Sequence, residues 1–176
     1  MEVVKMKMLT TQIGGLMQRI AANGEEAIEE TARLLAQATT GDGRVIIAGY
    51  GEMDVVTIAA HYGAESFFGT VRYQDGMEID LADRVWILTR NETDEQPLEF
   101  ARHLAKQFIP FTAVASGKPD ESNELANLAT TYVSTGLTRG LLPGDDGERI
   151  VQPHALAALF IYEAVKVAYD EMLAED

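Results

Sequence analysis

The chain has 176 residues, 47% of them hydrophobic, which is enough for one compact domain of roughly 100 to 200 residues, so we expect a single domain over residues 1–176. Its 28 acidic and 14 basic side chains give a formal net charge of -14, which argues against nucleic acid and anionic membrane surfaces as partners. There is no cysteine, which excludes disulfides and thiolate chemistry, and no signal sequence or long apolar run, so we expect a soluble, cytoplasmic protein.

Two helices are predicted at the N-terminus. The first covers residues 9–22. Asn23 followed three residues later by Glu26 is typical of a capped start for the second helix. The apolar face of that second helix carries Ile28, Ala32, Leu35 and Ala38. The glycines at Gly41 and Gly43 should end it.

Five short runs rich in β-branched or aromatic residues predict strands, and segments with helical spacing lie between most of them. The strands cover residues 44–48, 70–73, 84–89, 111–115 and 131–134. Alternating strands and helices are typical of an α/β fold with a parallel sheet.

Two further helices are indicated by their starts. Thr93 with Gln96 forms a capping-box pattern ahead of an apolar face that reaches Phe108. The last helix is predicted over residues 153–173, with proline in its first turn. Because it is nearly all apolar from 155 to 168, it should be buried in the core or in a subunit interface.

The first predicted strand ends in Gly49-Tyr50-Gly51 and leads into a helical segment. Backbone amides at such a helix start attract anions, phosphate above all, which indicates a small-molecule site. A dinucleotide site is an alternative, since Asp75 could accept a hydrogen bond from a ribose hydroxyl. Against that alternative, the third glycine of the dinucleotide motif falls on Asp54.

The longest stretch without a clear element is 136–149, which contains four glycines. Such a stretch is either a lid or binding loop or a mobile surface connection. Arg139 lies in it and could contact an anionic ligand. Lys118 is near another strand end, but we expect both Lys118 and His103 to serve as surface residues.

The order of elements and the segment from Asp83 to Thr93 resemble a sugar isomerase (SIS) domain over nearly the whole chain. The resemblance is greatest to the phosphoheptose isomerase type and a related uncharacterised bacterial group. It implies a three-layer α/β/α sandwich with a five-stranded parallel sheet in flavodoxin-type order, two N-terminal helices and a long C-terminal helix. It also implies a sugar phosphate or related small molecule as partner and a homodimer or homotetramer.

The family's first motif is Gly-x-Gly-x-Ser, whereas this chain has Glu52 and Met53 after the second glycine. Methionine offers no hydrogen bond comparable to that of serine. By position, the resemblance assigns ligand contacts to the whole turn: Gly49, Tyr50, Gly51, Glu52 and Met53.

The family's second motif is Ser-x-Ser-Gly-x-Thr, and the resemblance places Thr89, Asn91 and Thr93 in its ligand-binding positions without the glycine. The neighbouring acidic residues are Glu92, Asp94 and Glu95. They suit a helix start but oppose a phosphate in the same place. A neutral sugar, an amine-bearing ligand and no ligand remain open alternatives.

His61 and Glu65 are four residues apart, which would place them on one helix face as a pair for metal binding or proton transfer. Phosphoheptose isomerases have a similar His-x-x-x-Glu pair, which implies Glu65 as acid/base and both residues as ligands of a zinc ion. Chance pairing on an exposed helix is the alternative. The family adds a glutamine and a histidine on the final helix, and here Gln152 and His154 stand at its start.

These patterns support three hypotheses. The first is a sugar-phosphate isomerase in which Glu65 moves a proton between adjacent carbons, while His61 or His154 opens the ring or holds a metal. The second is a non-catalytic SIS-like regulatory or ligand-binding protein. The third is a homo-oligomeric structural protein held together by the apolar final helix.

Overall fold

The computed structural model of the chain describes residues 2–175, so the two terminal residues of the predicted domain lie outside it. Its helices are α1 (Val3–Thr39), α2 (Val55–Tyr62), α3 (Glu95–Lys106), α4 (Glu124–Leu128) and α5 (His154–Glu175), with a 3₁₀ turn at Gly51–Asp54 before α2. Its strands are β1 (Val45–Gly49), β2 (Thr70–Arg72), β3 (Arg84–Leu88), β4 (Phe111–Ala115), β5 (Thr131–Ser134), β6 (Leu142–Pro143) and β7 (Arg149–Ile150).

The first five strands form one parallel sheet in the order β2-β1-β3-β4-β5, which confirms the predicted α/β fold and its flavodoxin-type order. Successive side chains of a strand point to opposite faces of a sheet. On β3, Trp86 and Leu88 therefore join the core beneath α1, α2 and α5. Val85 and Ile87 join the core beneath α3 and α4. The sheet is covered on both faces, as a buried parallel sheet requires.

The predicted pair of N-terminal helices is wrong, because α1 runs without a break through Asn23. Its buried positions recur every fourth residue: Leu16, Ile20, Gly24 and Ile28. This continuous stripe packs against the core and outweighs the local capping signal, since most helical stability in proteins comes from packing.

Two other predicted boundaries differ from the structure. The N-cap of α3 is Asp94 rather than Thr93, so the predicted capping box does not form. The stretch predicted to have no element contains β6, which pairs antiparallel with β7. Gly147, at φ 86°, lies in the turn between these two strands, where a left-handed backbone favours glycine. None of the helices between residues 2 and 175 has the length and apolarity to cross a membrane.

Candidate functional site

The candidate site is a crevice at the carboxyl ends of β1 and β3. The strand order changes direction between these two strands, and in open α/β sheets ligands bind at such a switch point. The crevice has a volume of about 360 Å³ and is lined by the loops that follow β1 and β3 and by the first turn of α3. The crevice therefore lies where the sequence predicted it, after the Gly49-Tyr50-Gly51 turn.

The first loop is tight for a steric reason. A Cβ atom on Gly49 would lie 2.6 Å from the Cα atom of Asp54, so only glycine fits there. Gly51 has φ 59°, a left-handed conformation that glycine adopts easily. The amide of Tyr50 donates to the carbonyl of Leu88 at 2.9 Å and so joins the first loop to β3.

The predicted ligand-binding residues of this loop separate into two groups. Tyr50, Gly51 and Glu52 line the crevice. Met53 was also predicted to contact a ligand, but its side chain is fully buried in the core and does not line the crevice. A long apolar side chain at the serine position of the motif is drawn into the core.

An ion pair links the two loops. The guanidinium of Arg90 donates to Glu52 Oε1 from Nε at 2.9 Å and from Nη2 at 2.6 Å. Both side chains are partly exposed. Sequence reasoning missed Arg90, although its position between Thr89 and Asn91 was a signal that could have identified it.

In the loop after β3, the carboxylate of Asp94 accepts hydrogen bonds from two other residues of the same loop. The hydroxyl of Thr89 donates to Asp94 Oδ2 at 2.6 Å, and the backbone amide of Asn91 donates to the same oxygen at 3.0 Å. Thr89, Asn91 and Asp94 all line the crevice. Thr89 and Asn91, two of the predicted ligand-binding residues, thus lie in the crevice wall, but Asp94 accepts hydrogen bonds from donors of both.

Hydrogen bonds to residues at the end of β4 hold the loop after β3 in place. Glu92 accepts a hydrogen bond from the amide of Gly117 at 2.9 Å, which ties the loop to the end of β4. Ser116 Oγ donates to Asn91 Oδ1 at 3.4 Å. Thr93, the third predicted ligand-binding residue of this loop, is exposed and does not line the crevice.

His154, at the start of α5, is 3% exposed and does not line the crevice, although the charges of crevice residues reach it. Its Nδ1 atom is buried and has no hydrogen-bond partner among residues 2–175. Burial lowers the pKa of His154 below its ordinary value, and the positive charge of Arg90 adds to this effect, while Glu52 and Asp94 act against it. A lowered pKa keeps the imidazole neutral at pH 7.

The segment before His154 has an unusual backbone. Val151 has φ 67°, which is strained for a β-branched residue, and its carbonyl accepts a hydrogen bond from the amide of Leu141 at 2.9 Å. This bond fixes the approach of the chain to α5. Gln152 is exposed, and its carbonyl accepts a hydrogen bond from the amide of His154 at 2.9 Å, so its side chain is not part of the crevice lining.

His61 and Glu65 do not share a helix face, and this part of the prediction is wrong. The helix ends at Tyr62 because the backbone of Gly63 is extended. His61 Nδ1 lies 2.9 Å from the carbonyl oxygen of Thr57, and Glu65 Oε2 lies 3.8 Å from Lys166 Nζ. Since α2 runs from the crevice toward the start of β2, the pair lies toward the opposite edge of the sheet.

The zinc ion predicted for this pair would need more ligands than His61 and Glu65 supply. Protein zinc sites use three or four side-chain ligands. Within residues 2–175, no group of three or more His, Asp or Glu side chains is arranged to hold a metal ion. His61 and Glu65 by themselves are two ligands, fewer than a protein zinc site uses.

The other predicted cations lie away from the crevice. Arg139 is exposed and does not line it. Arg149 instead ties down the hairpin, since its guanidinium donates to the carbonyl oxygens of Gly140 and Leu141, both at 2.7 Å. Lys118 lines a separate groove between α1 and the end of β5.

A second cavity of about 670 Å³ adjoins the crevice and shares Tyr50 with it. Tyr73 and Phe100 stack in its wall with ring centroids 4.4 Å apart. Asp75, the residue of the dinucleotide alternative, lines this cavity. The crevice is therefore open on the side toward β2.

Comparison with known proteins gives a family for the chain. A family model described as a domain of unknown function (DUF2529) matches residues 5–173. The chain is also 27% identical over 171 residues to the uncharacterized protein YwjG of Bacillus subtilis, and the match covers 97% of this chain and 98% of YwjG.

Solved structures of other proteins have the same fold. The NanR protein of Vibrio vulnificus, complexed with ManNAc-6P, is similar with a TM-score of 0.67 and 14% identity. That match covers 98% of this chain and 62% of NanR, so the chain spans less than two thirds of NanR. A sugar-phosphate isomerase candidate from Listeria monocytogenes is similar with a TM-score of 0.66 and 15% identity, covering 99% of this chain and 93% of that protein. At these identities the likeness shows the SIS-like fold.

Proposed function

This chain belongs to the DUF2529 family, and from its SIS-like fold we propose that it binds a sugar or sugar phosphate derivative in the crevice without converting it chemically. One observation carries the proposal. Glu52, Arg90, Asn91 and Asp94 converge at the switch point between β1 and β3. Carboxylates, an amide and a guanidinium supply both acceptors and donors for the hydroxyl groups of a sugar.

The comparisons support this class of ligand. The NanR structure holds ManNAc-6P, and the Listeria protein is described as a sugar-phosphate isomerase candidate. A shared fold alone does not assign a function, so the crevice geometry must carry the proposal. The absence of turnover is supported by the position of His61 and Glu65, which lie away from the crevice.

The proposal is tested by screening the purified protein for thermal stabilisation and by calorimetry. The panel contains neutral sugars, amino sugars and the 6-phosphates of both. We expect at least one member to raise the melting temperature, because a ligand that binds only the folded state stabilises it. We expect Arg90→Gln to weaken the binding of that member by about tenfold.

Arg102→Gln is the matched control, because Arg102 is similarly exposed but pairs with Glu124 at the surface between α3 and α4. It should bind the ligand as the unchanged protein does. A panel that produces no stabilisation, or equal binding by the Arg90→Gln variant, would refute binding in the crevice.

Isomerase activity is a second candidate function, favoured by His154. Burial lowers the pKa of its imidazole, and the carboxylate of Glu52, which lines the crevice, is near enough for its charge to act on that pKa. A neutral imidazole and a carboxylate can accept and return protons. The predicted likeness to phosphoheptose isomerases belongs with this candidate.

Turnover separates the two functions. A panel of aldose and ketose phosphates is incubated with the protein and followed by NMR. Conversion that is lost in a folded His154→Gln variant would establish the isomerase. Binding without conversion would leave the ligand-binding function.

A further inference from the structure

Asp94 does not do what a residue at a helix N-cap usually does. Its side chain makes no hydrogen bond to the first amides of α3. The carboxylate turns back into the β3 loop, where Oδ2 accepts from the Thr89 hydroxyl at 2.6 Å and from the Asn91 amide at 3.0 Å. Ordinary helix capping therefore does not explain its orientation.

Those two donors are the groups that an anionic ligand in this loop would need. Phosphate in proteins is held by backbone amides and hydroxyls near a helix start. Here a carboxylate oxygen already occupies their common acceptor position. A phosphate entering the loop would have to displace Asp94 and remain beside its negative charge.

The remaining charges of the crevice do not compensate. The guanidinium of Arg90 is already paired with Glu52 Oε1. Among residues 2–175, neither Asp94 Oδ1 nor Glu52 Oε2 has a hydrogen-bond partner. Ionised carboxylate oxygens only accept hydrogen bonds, so they suit hydroxyl or ammonium groups of a ligand.

We propose that Asp94 is a specificity-determining residue that excludes phosphate from the β3 loop. The ligand of the crevice is accordingly a sugar derivative that presents hydroxyl or ammonium groups, and no phosphate, to this loop. This inference rests on the proposed function and selects between its two ligand classes.

The test is phosphate binding by an Asp94→Ser variant, measured by calorimetry with inorganic phosphate alone. Serine removes the charge and frees the Asn91 amide. We expect the variant to bind phosphate at least about tenfold more tightly than the unchanged protein. Asp145→Ser is the matched control, because it removes the same charge from a side chain that is 98% exposed and does not line the crevice. It should leave phosphate binding unchanged within about threefold.

A second variant covers the case in which Asp94→Ser does not fold. Asp94→Asn keeps the shape of the side chain and an acceptor oxygen for Thr89 and Asn91 but lacks the charge. A folded Asp94→Asn variant should also bind phosphate more tightly than the unchanged protein. Unchanged phosphate affinity in the folded variants, or equally tight binding by the unchanged protein, would overturn the inference.

The phosphate-binding test of Asp94 and the sugar-panel test of the proposed function can fail independently. Failure of the sugar panel with a gain of phosphate binding in the variant would refute the proposed function but not the exclusion of phosphate by Asp94. If the unchanged protein prefers a sugar phosphate in the panel and Asp94→Ser does not change phosphate affinity, the proposed function stands and the inference is refuted.

Discussion

Asp83 shows how one carboxylate can fix the spacing of two strands. It lies directly before β3, its side chain is 3% exposed, and it accepts hydrogen bonds from the amides of Arg44 and Asp80 at 2.9 and 3.0 Å. It also accepts from the guanidinium of Arg44 at 2.9 Å. Burial alone would raise the pKa of Asp83, but the hydrogen bonds from Arg44 and Asp80 outweigh it and lower the pKa.

The first prediction concerns Asp83→Asn. The variant loses the charge that accepts these bonds, so the free energy of unfolding should fall by about 2 kcal/mol at pH 7. A carboxylate whose folded pKa is lowered stabilises the protein above its unfolded pKa, and this stabilisation is lost as the pH falls through the folded pKa. The difference between the two proteins should therefore shrink below about pH 4.

Urea unfolding at several pH values measures the effect. Asp145→Asn is the control, because the side chain of Asp145 is 98% exposed and should contribute almost nothing. A deficit for Asp83→Asn that stays constant down to acid pH would show that the charge is not responsible.

The long helix α1 packs against α5 and the sheet. Gly24 lies in its interior and is buried against β5. A Cβ atom there would lie 3.6 Å from Val133 Cγ1 and 3.7 Å from Ile28 Cδ1, both ordinary contacts. Glycine in a helix interior costs about 0.5 to 1 kcal/mol relative to alanine.

The second prediction is that Gly24→Ala stabilises the protein by about 0.5 to 1 kcal/mol, measured as an increase in the free energy of unfolding. Gly49→Ala is the contrasting variant, because its Cβ would lie 2.6 Å from the backbone of Asp54 and should destabilise the protein. A loss of stability in Gly24→Ala would mean that α1 and β5 cannot accommodate the methyl group.

The strands were more predictable from sequence than the helix boundaries. Phe111–Ala115 and Thr131–Ser134 have the predicted bounds, because runs of β-branched and aromatic residues between turns leave few alternatives. The continuity of α1 through Asn23 could not be read locally, since the same polar residue is compatible with a cap or a helix surface. Packing against the sheet decides between them.

The site was predictable in position but not in detail. The glycine turn and Thr89 located the crevice, because the carboxyl ends of neighbouring parallel strands meet. The orientation of Asp94 depends on hydrogen bonds that form only after β3 and α3 are in place. The separation of Glu65 from His61 likewise depends on one backbone conformation, at Gly63.

One side of the molecule exposes four large apolar side chains. Ile58 and Tyr62 are four residues apart on α2 and are 49% and 84% exposed. Val167 on α5 is 59% exposed, and Phe68, whose carbonyl bonds Tyr169 of α5, is 67% exposed. Because α2 packs against α5, these side chains belong to one side of the molecule. A group of neighbouring exposed apolar side chains is typical of a protein interface.

The third prediction is that this side forms the interface of a homodimer. Light scattering should then give about twice the 19.2 kDa chain mass, and Val167→Glu should give the monomer mass with unchanged circular dichroism. Phe108→Glu is the matched control, since Phe108 is 85% exposed but lies between α3 and β4, and it should leave the dimer intact. A monomeric unchanged protein would contradict the prediction. Dissociation by both variants would place the cause in net charge, because a chain of charge -14 resists association as negative charge is added anywhere on it.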